Sequence, residues 1–299
     1  MAWRGVHLSR AARLRVEHRN LVIEFADSGT ATRLPLEDIA YLILDTPEVS
    51  LTGALMSRMS QCAIMVLGCD ERHMPAWTSQ PWSLHYRQAE VTSLQLECSL
   101  PLKKRLWQRI VCEKIRAQAV CLESLGAANS DLLRSLIPTV QSGDIGNVEA
   151  RAAVIHFPSL FPGRNFLRHA DDLPNGLLNY GYSLCRSGLA RYLCAHGFIP
   201  SLGLFHRSMA NAFNLADDLI EPYRPFVDQA AASLLGDRPS SGTLTLDDRR
   251  ALALLLEKPV SYQGEEMTLF ATFALCVQSL RRAMDAKEPG ILIFPIPLS

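Results

Sequence analysis

Three acidic side chains and one histidine in the second half of the sequence could support metal chemistry: Glu149, His206, Asp218 and Glu221. Glu149 follows a polar stretch, residues 143–147, and leads into small, helix-forming residues. Asp218 and Glu221 are spaced so that one helix face would carry both carboxylates within reach of a single cation. One imidazole with two or three carboxylates suits Mg²⁺ or Mn²⁺ better than a structural zinc.

A role in helix capping is the alternative for these acids, because carboxylates in the first turn of a helix are stabilised by its dipole without any metal. Asn214 is predicted to be the N-cap residue, with Asp217 at the third helical position. His206 would lie roughly 22 Å from Glu221 along one continuous helix, so it must sit on a loop that folds back. Spacing alone does not decide between a metal site and a role in helix capping.

Other kinds of catalytic site are not supported by the sequence. No G-x-S-x-G elbow is present, which argues against a serine hydrolase. His169, Asp171 and Asp172 lack a second histidine and are interpreted as surface residues, and Gly203 does not belong to a phosphate-binding loop. The eight cysteines contain no C-x-x-C pair, which predicts reduced thiols in the core of a cytoplasmic protein.

The elements that must position these residues fall into two halves. Apolar residues make up 48% of the chain and charged residues 20%, which predicts a folded protein, and no apolar run approaches the ~18 residues of a membrane span. The first part reads as short strands around one helix at 50–60, the strands being 6–9, 14–18, 21–25, 39–44 and 63–67. The apolar period then changes to that of helices, predicted at 104–125, 147–156, 177–195, 215–235, 247–257 and 266–286.

The predicted fold is therefore α+β, with a small β-rich N-terminal domain followed by a larger all-α C-terminal domain. The boundaries are predicted as 1–80 for the β-rich domain, 81–100 for a linker and 101–299 for the helical domain. More strands than one helix can cover indicate that residues 1–80 also form a symmetric dimer surface.

Charge is balanced overall but not locally. The chain has 30 basic and 30 acidic residues, and net neutrality argues weakly against nucleic-acid binding. The start of the long helix at 104–125 nevertheless concentrates basic residues around the single acid Glu113, namely Lys103, Lys104, Arg105, Arg109, Lys114 and Arg116. This stretch is either a helix that contacts DNA phosphates, through Lys103, Lys104 and Arg105 first of all, or a solvated helix face.

Several motifs, in their order along the chain, resemble the CRISPR-associated spacer-acquisition integrase family. They are Gly143-Asp-x-x-Asn147-x-Glu149-Ala, Leu178-Asn-Tyr180-Gly-Tyr182, His206 and Leu215-Ala-x-Asp218-Leu-x-Glu221-x-x-Arg224-Pro. Further features are similar to the type II branch: the Trp3-Arg4 start, the His73-x-Pro75 turn and Leu106-Trp107-x-x-Ile110-Val-x-x-Lys114-Ile-x-x-Gln118-Ala. The resemblance extends from about Trp3 to Asp285.

The resemblance implies a homodimerising β-rich domain and a helical domain that holds one divalent ion, Mg²⁺ or Mn²⁺. Its ligands would be Glu149, His206 and Glu221, with Asp218 as a fourth ligand or a base behind them. Arg224 is expected to orient Glu221 or contact phosphate. Tyr180 is expected near DNA or, equally, in the core.

The resemblance also implies a reaction and its partners. Such proteins join a small second CRISPR-associated protein and insert foreign DNA fragments into the repeat array, each 3′-hydroxyl attacking a phosphodiester. An RNA-guided type II effector nuclease is a further expected partner, and no membrane is involved. Two alternatives remain: a metal-dependent nuclease that hydrolyses branched or single-stranded DNA, and a non-catalytic DNA-binding scaffold whose acids cap helices.

Overall fold

Strands dominate the first part of the chain and helices the second, which confirms the predicted α+β class. The computed structural model describes residues 4–79 and 85–298. The chain divides into two units, Met1–Tyr86 and Arg87–Ser299. Trp3 of the predicted start motif, the last residue of the predicted β-rich domain and residues 81–84 of the predicted linker lie outside the described residues.

Within residues 4–79, the first unit consists of two four-stranded sheets and one α-helix. The first sheet has the strand order β1 (Arg4–Leu8), β5 (Ile39–Leu44), β7 (Met65–Cys69), β8 (Pro75–Thr78), with the first three parallel and the last antiparallel. The second has the order β4 (Ala31–Pro35), β3 (Asn20–Phe25), β2 (Ala12–Glu17), β6 (Val49–Leu51). In it, β2 to β4 form an antiparallel meander and β6 lies parallel to β2.

Burial explains why these segments form a core. All six residues of β5, Ile-Ala-Tyr-Leu-Ile-Leu, are buried, as expected for a parallel strand covered on both faces. Helix α1 spans Gly53–Gln61 rather than the predicted 50–60. It starts later because Ser50 lies in β6 and the Thr52 hydroxyl accepts the hydrogen bond from the Leu55 amide, which makes Thr52 the cap.

The second unit contains nine α-helices within the described residues. Their bounds are α2 (Gln88–Glu97), α3 (Leu100–Ser124), α4 (Ser130–Leu136), α5 (Val148–Leu160), α6 (Leu173–Ala195), α7 (Asn214–Leu219), α8 (Arg224–Leu235), α9 (Leu246–Leu254) and α10 (Leu269–Asp285). Helix α2 occupies much of the predicted linker at 81–100 and belongs to this unit, which corrects the extent of that linker.

Two further corrections concern this unit. It is mostly helical but not all-α, because Pro259–Tyr262 (β9) pairs with Glu265–Thr268 (β10) and with Ile296–Pro297 (β11). The helix predicted over 215–235 is broken by a 3₁₀ turn at Glu221–Tyr223. Proline explains the break, since Pro222 and Pro225 have no amide hydrogen for the i→i−4 ladder.

Helix α3 is the central element of the second unit. Leu106, Ile110 and Ile115 on its predicted apolar face are completely buried. The helix contacts α4, α5 and α8, the turn at Ser142–Asp144 and the turn at Glu221–Tyr223. It therefore lies beside both segments that carry the predicted glutamate ligands.

Two further predictions concern the burial of the cysteines and the lack of membrane-spanning segments. Four of the eight cysteines, Cys69, Cys121, Cys185 and Cys276, are buried, as predicted for thiols packed in a core. Across residues 4–79 and 85–298, no helix combines the length and apolar character that crossing a membrane requires.

Candidate functional site

Glu149 is positioned by a left-handed turn at the start of α5. Gly143, Asp144 and Asn147 all have positive φ, between 48° and 76°. The Asp144 carboxylate accepts hydrogen bonds from the amides of Val148 (2.9 Å) and Glu149 (3.0 Å). Since Asp144 satisfies these first amides, Glu149 is not needed as a cap, and its Oε1 instead contacts Nζ of Lys114.

His206 lies on the loop between α6 and α7, and Asp218 holds that loop closed. The Asp218 carboxylate, which is fully buried, accepts hydrogen bonds from the backbone amides of Leu204, Phe205 and His206. It also lies 2.8 Å from Nδ1 of His206. A carboxylate only accepts, so Nδ1 carries the hydrogen, and in the neutral ring the Nε2 lone pair is left for a ligand.

Two neighbours pack around this loop. The Phe205 ring stacks on Trp107 of α3 with a centroid distance of 4.2 Å and an interplanar angle of 1°. A side chain at Gly203 would place Cβ 2.3 Å from the carbonyl oxygen of His206 and 2.9 Å from Oδ2 of Asp218. The close approach of the loop to Asp218 therefore requires glycine at this position.

Glu221 lies beneath the surface between two cations. Its side chain is 8% exposed, Oε2 contacts Nζ of Lys114, and Oε1 accepts a 2.9 Å hydrogen bond from Nε of Arg224. Arg224 in turn lies over the Tyr182 ring, 4.5 Å from its centroid, and the Tyr182 hydroxyl donates to the buried Asp228. Arg224 thus orients Glu221, which is one of the two roles predicted for it from the sequence.

The electrostatics of the site keep its groups charged. Burial alone would raise the pKa of Glu221, but Lys114 and Arg224 outweigh it and lower that pKa to about 2. Burial would likewise lower the pKa of Lys114, but Glu221 and Glu149 outweigh it and raise that pKa. The hydrogen bond to Asp218 raises the pKa of His206. At neutral pH the centre of the site is therefore an ionised carboxylate and an ammonium in direct contact.

Asp218 and Glu221 do not share one helix face toward a cation, which corrects that expectation. Helix α7 ends at Leu219, and the turn that follows directs Glu221 to Lys114 while both Asp218 oxygens are engaged by the loop. Asn214 is not the N-cap residue either. It is the first helical residue, and its Nδ2 donates to the carbonyl oxygens of Ser201 and Ser208, which ties the loop to α7.

The predicted DNA contacts are distributed differently from the expectation. Tyr180 is fully buried in the middle of α6, which packs against α8 and α10, so it has the core position that was the alternative to a DNA contact. Lys103 lines a cleft of ≈ 350 Å³ together with His206 and Arg207. Lys104 packs against the turn at Gly143, and Arg105 donates to the carbonyl oxygen of Lys287.

The remaining basic residues of this helix are engaged in ion pairs. Arg109 and Arg116 both contact Glu113, and Lys114 contacts the two glutamates of the site. The six basic residues therefore do not form one stripe, because consecutive helical positions point in different directions.

The donor types at this site fit a divalent ion, although their present arrangement does not form a metal site. Within the described ranges, no group of three or more His, Cys, Asp or Glu side chains is arranged as a preformed metal site. The donor types nevertheless suit a divalent ion. Glu149 and Glu221 already converge on one cation, the Lys114 ammonium, and Asp218 holds the hydrogen of His206 on Nδ1, which leaves Nε2 as a donor atom for a metal. The fit requires Lys114 to leave the carboxylate oxygens.

Lys114 is the site residue that the predictions missed. The sequence places it among the basic residues of this helix, but it follows Ile110 by one helical turn and so falls on the buried face of α3. That position was the available signal, since a lysine on an apolar helix face requires a partner when it is buried. The role of Gly203 could not be predicted either, because a single glycine in a sequence does not show which atoms lie close to its backbone.

Sequence comparison relates the chain to known proteins. The family model "CRISPR associated protein Cas1" matches residues 6–241. The chain is 36% identical over 299 residues to the CRISPR-associated endonuclease Cas1 of Neisseria meningitidis serogroup C (strain 8013), covering 99% of this chain and 96% of that protein. It is 26% identical over 236 residues to a CRISPR-associated endonuclease Cas1 of Pyrobaculum aerophilum, covering 71% and 75% of the two chains.

Solved structures share the fold. A Cas1 protein from Thermotoga maritima superposes with a TM-score of 0.74 at 16% identity, over 94% of this chain and 97% of that one. A casposase bound to its integration product gives a TM-score of 0.73 at 19% identity, over 96% and 91%. The family model matches most of the sequence, and the Neisseria relative is similar along nearly all of it. The chain therefore belongs to the Cas1 family of CRISPR-associated proteins.

Proposed function

We propose that this protein is a divalent-metal-dependent DNA integrase of CRISPR adaptation, which inserts DNA fragments into a repeat array through attack by a 3′-hydroxyl. The observation that carries the proposal is the convergence of Glu149 and Glu221 on one cation, next to a loop that holds His206 with its Nδ1 hydrogen bonded to Asp218. The names of the similar proteins support it: an endonuclease in Neisseria meningitidis, and a casposase bound to an integration product.

Glu149, His206 and Glu221 would hold Mg²⁺ or Mn²⁺, which when bound supplies charge stabilisation at the reacting phosphate and acidifies the attacking hydroxyl. The chain itself positions these groups. Asp218 keeps the hydrogen of His206 on Nδ1, and Arg224 fixes the orientation of Glu221. The nucleophile in this proposal comes from DNA, so the protein needs no activated serine or cysteine.

Product analysis distinguishes this function from its alternatives. The chain, with its small partner protein, is mixed with repeat DNA and a labelled fragment that ends in a 3′-hydroxyl. Integration yields a labelled strand longer than the fragment and releases the cut repeat strand with a new 3′-hydroxyl. Hydrolysis yields shortened strands and no joined product, and a non-catalytic scaffold yields neither. A fragment with 3′-dideoxy ends is the matched control, because it should abolish joining and leave hydrolysis unchanged. Shortened strands with both fragments would contradict the proposal.

The proposed partners are DNA and the small second CRISPR-associated protein. A solved Cas6-RT-Cas1–Cas2 complex has a chain with this fold, at a TM-score of 0.72 and 18% identity, covering 97% of this chain and 36% of that one. That assembly supports a corresponding complex here. The RNA-guided type II effector remains a predicted partner.

The first unit is proposed to form a homodimer. Among residues 4–79, the strands at the ends of the two sheets are β1, β8, β4 and β6, and four of the five residues of β4 are exposed. Exposed edges favour pairing with another chain unless it is prevented. Sedimentation of the intact protein at micromolar concentration should therefore give twice the chain mass of 33.2 kDa. A monomer at every concentration up to about 100 μM, where weak association would already populate a dimer, would contradict this prediction.

Lys103 is expected to contribute more to DNA affinity than Arg105. Both belong to the predicted phosphate-contacting stretch, but only Lys103 lines the cleft beside His206. Lys103→Glu should weaken DNA binding about ten-fold or more and reduce the slope of log affinity against log salt by about 1. Arg105→Glu is the matched control on the same helix. Equal effects of both substitutions, measured by fluorescence anisotropy over a salt series, would show that the cleft is not the DNA surface.

A further inference from the structure

Lys114 places an ammonium group between the two carboxylates proposed as metal ligands. It lies on α3, is 7% exposed, and its Nζ contacts Oε1 of Glu149 and Oε2 of Glu221. Both contacts join the ammonium group to a carboxylate, so this buried charge has an ionic partner on two sides. The site therefore contains an internal cation in the metal-free protein.

The oxygens that Lys114 contacts are those that a metal ion would need. Oε1 of Glu221 accepts from Nε of Arg224, so Oε2 is the oxygen through which Glu221 would bind an ion, and Lys114 contacts it. Asp218 offers no substitute, because its two oxygens already accept four hydrogen bonds from the loop. A metal ion and the Lys114 ammonium therefore compete for the same place.

Charge balance leads to the same competition. Glu149 and Glu221 carry two negative charges, and Lys114 and Arg224 carry two positive charges, so this group of four side chains is neutral. A divalent ion added to these four side chains without displacement would lie next to the Lys114 ammonium, and the repulsion between two cations in a partly buried site is strongly unfavourable. Lysine can give way because its four-carbon stem is flexible, and the Glu149 side of the site is 28% exposed to solvent.

We infer that Lys114 is a built-in counter-cation of the metal-free site, which holds Glu149 and Glu221 together and is displaced when a divalent ion binds. The inference rests on the ligands of the proposed function and deepens it. Lys114 acts as a positioning residue: it keeps the two carboxylates assembled without metal, and it weakens the affinity for the ion that replaces it.

Metal binding to the full chain, stripped of metal, tests the inference by isothermal titration with Mn²⁺. Lys114→Met removes the competing charge and should tighten Mn²⁺ binding at least about ten-fold, because one unit charge at contact distance is removed. The metal-free variant should melt at a lower temperature than the wild type and gain more from Mn²⁺. Arg116→Met, two residues along the same helix and paired with Glu113, should leave the Mn²⁺ affinity unchanged.

Lys114→Arg decides the question if Lys114→Met does not fold without metal. It retains the charge, and its forked guanidinium should hold the carboxylates more firmly, so Mn²⁺ should bind several-fold more weakly than in the wild type. Unchanged or tighter binding in Lys114→Arg, or unchanged or weaker binding in Lys114→Met, overturns the inference.

The outcomes also separate the inference from the proposed function. Equal Mn²⁺ affinities in the wild type and Lys114→Met, with binding lost in Glu149→Gln, overturn the role of Lys114 and leave the ligands in place. Lys114-dependent Mn²⁺ binding by a protein that neither joins nor cuts DNA supports the inference and removes the proposed function. Absence of Mn²⁺ binding in all variants overturns both.

Discussion

Single alanine substitutions at Glu149, His206 and Glu221 should each reduce strand joining about 100-fold or more, and combining them should add almost nothing. Groups that act as one unit are strongly non-additive, because removing any one of them already disables the others. If the two acids served only as helix caps, each substitution would act separately and cost about 1 kcal/mol of stability with little loss of activity. Quantification of joined strands for the three single variants and the triple variant distinguishes these cases.

Stability measurements must accompany this series, since the three positions differ in burial. Glu221→Ala leaves Lys114 and Arg224 without their carboxylate partner at a site where Glu221 is 8% exposed, a type of loss that typically costs about 3–5 kcal/mol. Glu149 is more exposed, so Glu149→Ala should cost less. Asp131→Ala, an exposed acid on α4, is the control for both assays. Metal-dependent joining that survives Glu149→Ala or His206→Ala would show that the site is wrongly assigned.

Local patterns predicted the elements whose apolar residues either follow the helical period or form one continuous run. The α3 apolar face and the six consecutive apolar residues of β5 were both predictable, because in each case a single helix or strand encodes its own burial. The short strands β9 to β11 were missed for the converse reason. They contain four, four and two residues, too few for a period to be recognised, and β11 pairs with β9 across most of the last forty residues of the chain.

The candidate site was predictable in its residue types but not in its connections. Glu149, His206, Asp218 and Glu221 could be proposed as candidates from their residue types, and the family resemblance singled out Glu149, His206 and Glu221 as ligands. The contacts of Lys114 with Glu149 and Glu221 join distant parts of the chain, and no local pattern reports such pairs. The shared-face argument for Asp218 and Glu221 failed at Pro222, which ends the regular helical geometry on which the spacing rule depends.

Asp218 is expected to affect the reaction through the loop that carries His206. Its fully buried carboxylate accepts hydrogen bonds from three backbone amides and from Nδ1 of His206. Asp218→Ala should leave these donors without an acceptor and cost about 3 kcal/mol or more of stability, since each unsatisfied buried donor is unfavourable by about 1–3 kcal/mol. Joining should fall although no proposed ligand is removed, because the loop that presents His206 is released.

Asp218→Asn separates this positioning role from packing alone. The asparagine amide keeps the shape of the carboxylate but replaces one acceptor oxygen with a donor NH₂ group. If that group faces the backbone amides, donor meets donor, and if it faces His206, the hydrogen is no longer held on Nδ1. We expect joining to fall at least about ten-fold, with faster hydrogen exchange at the amides of residues 204–206. Asp217→Asn is the matched neighbour, since Asp217 pairs with Asn211 and Arg186 instead. Full joining by Asp218→Asn with slow exchange at 204–206 would mean that this carboxylate supports the fold and does not set the state of His206.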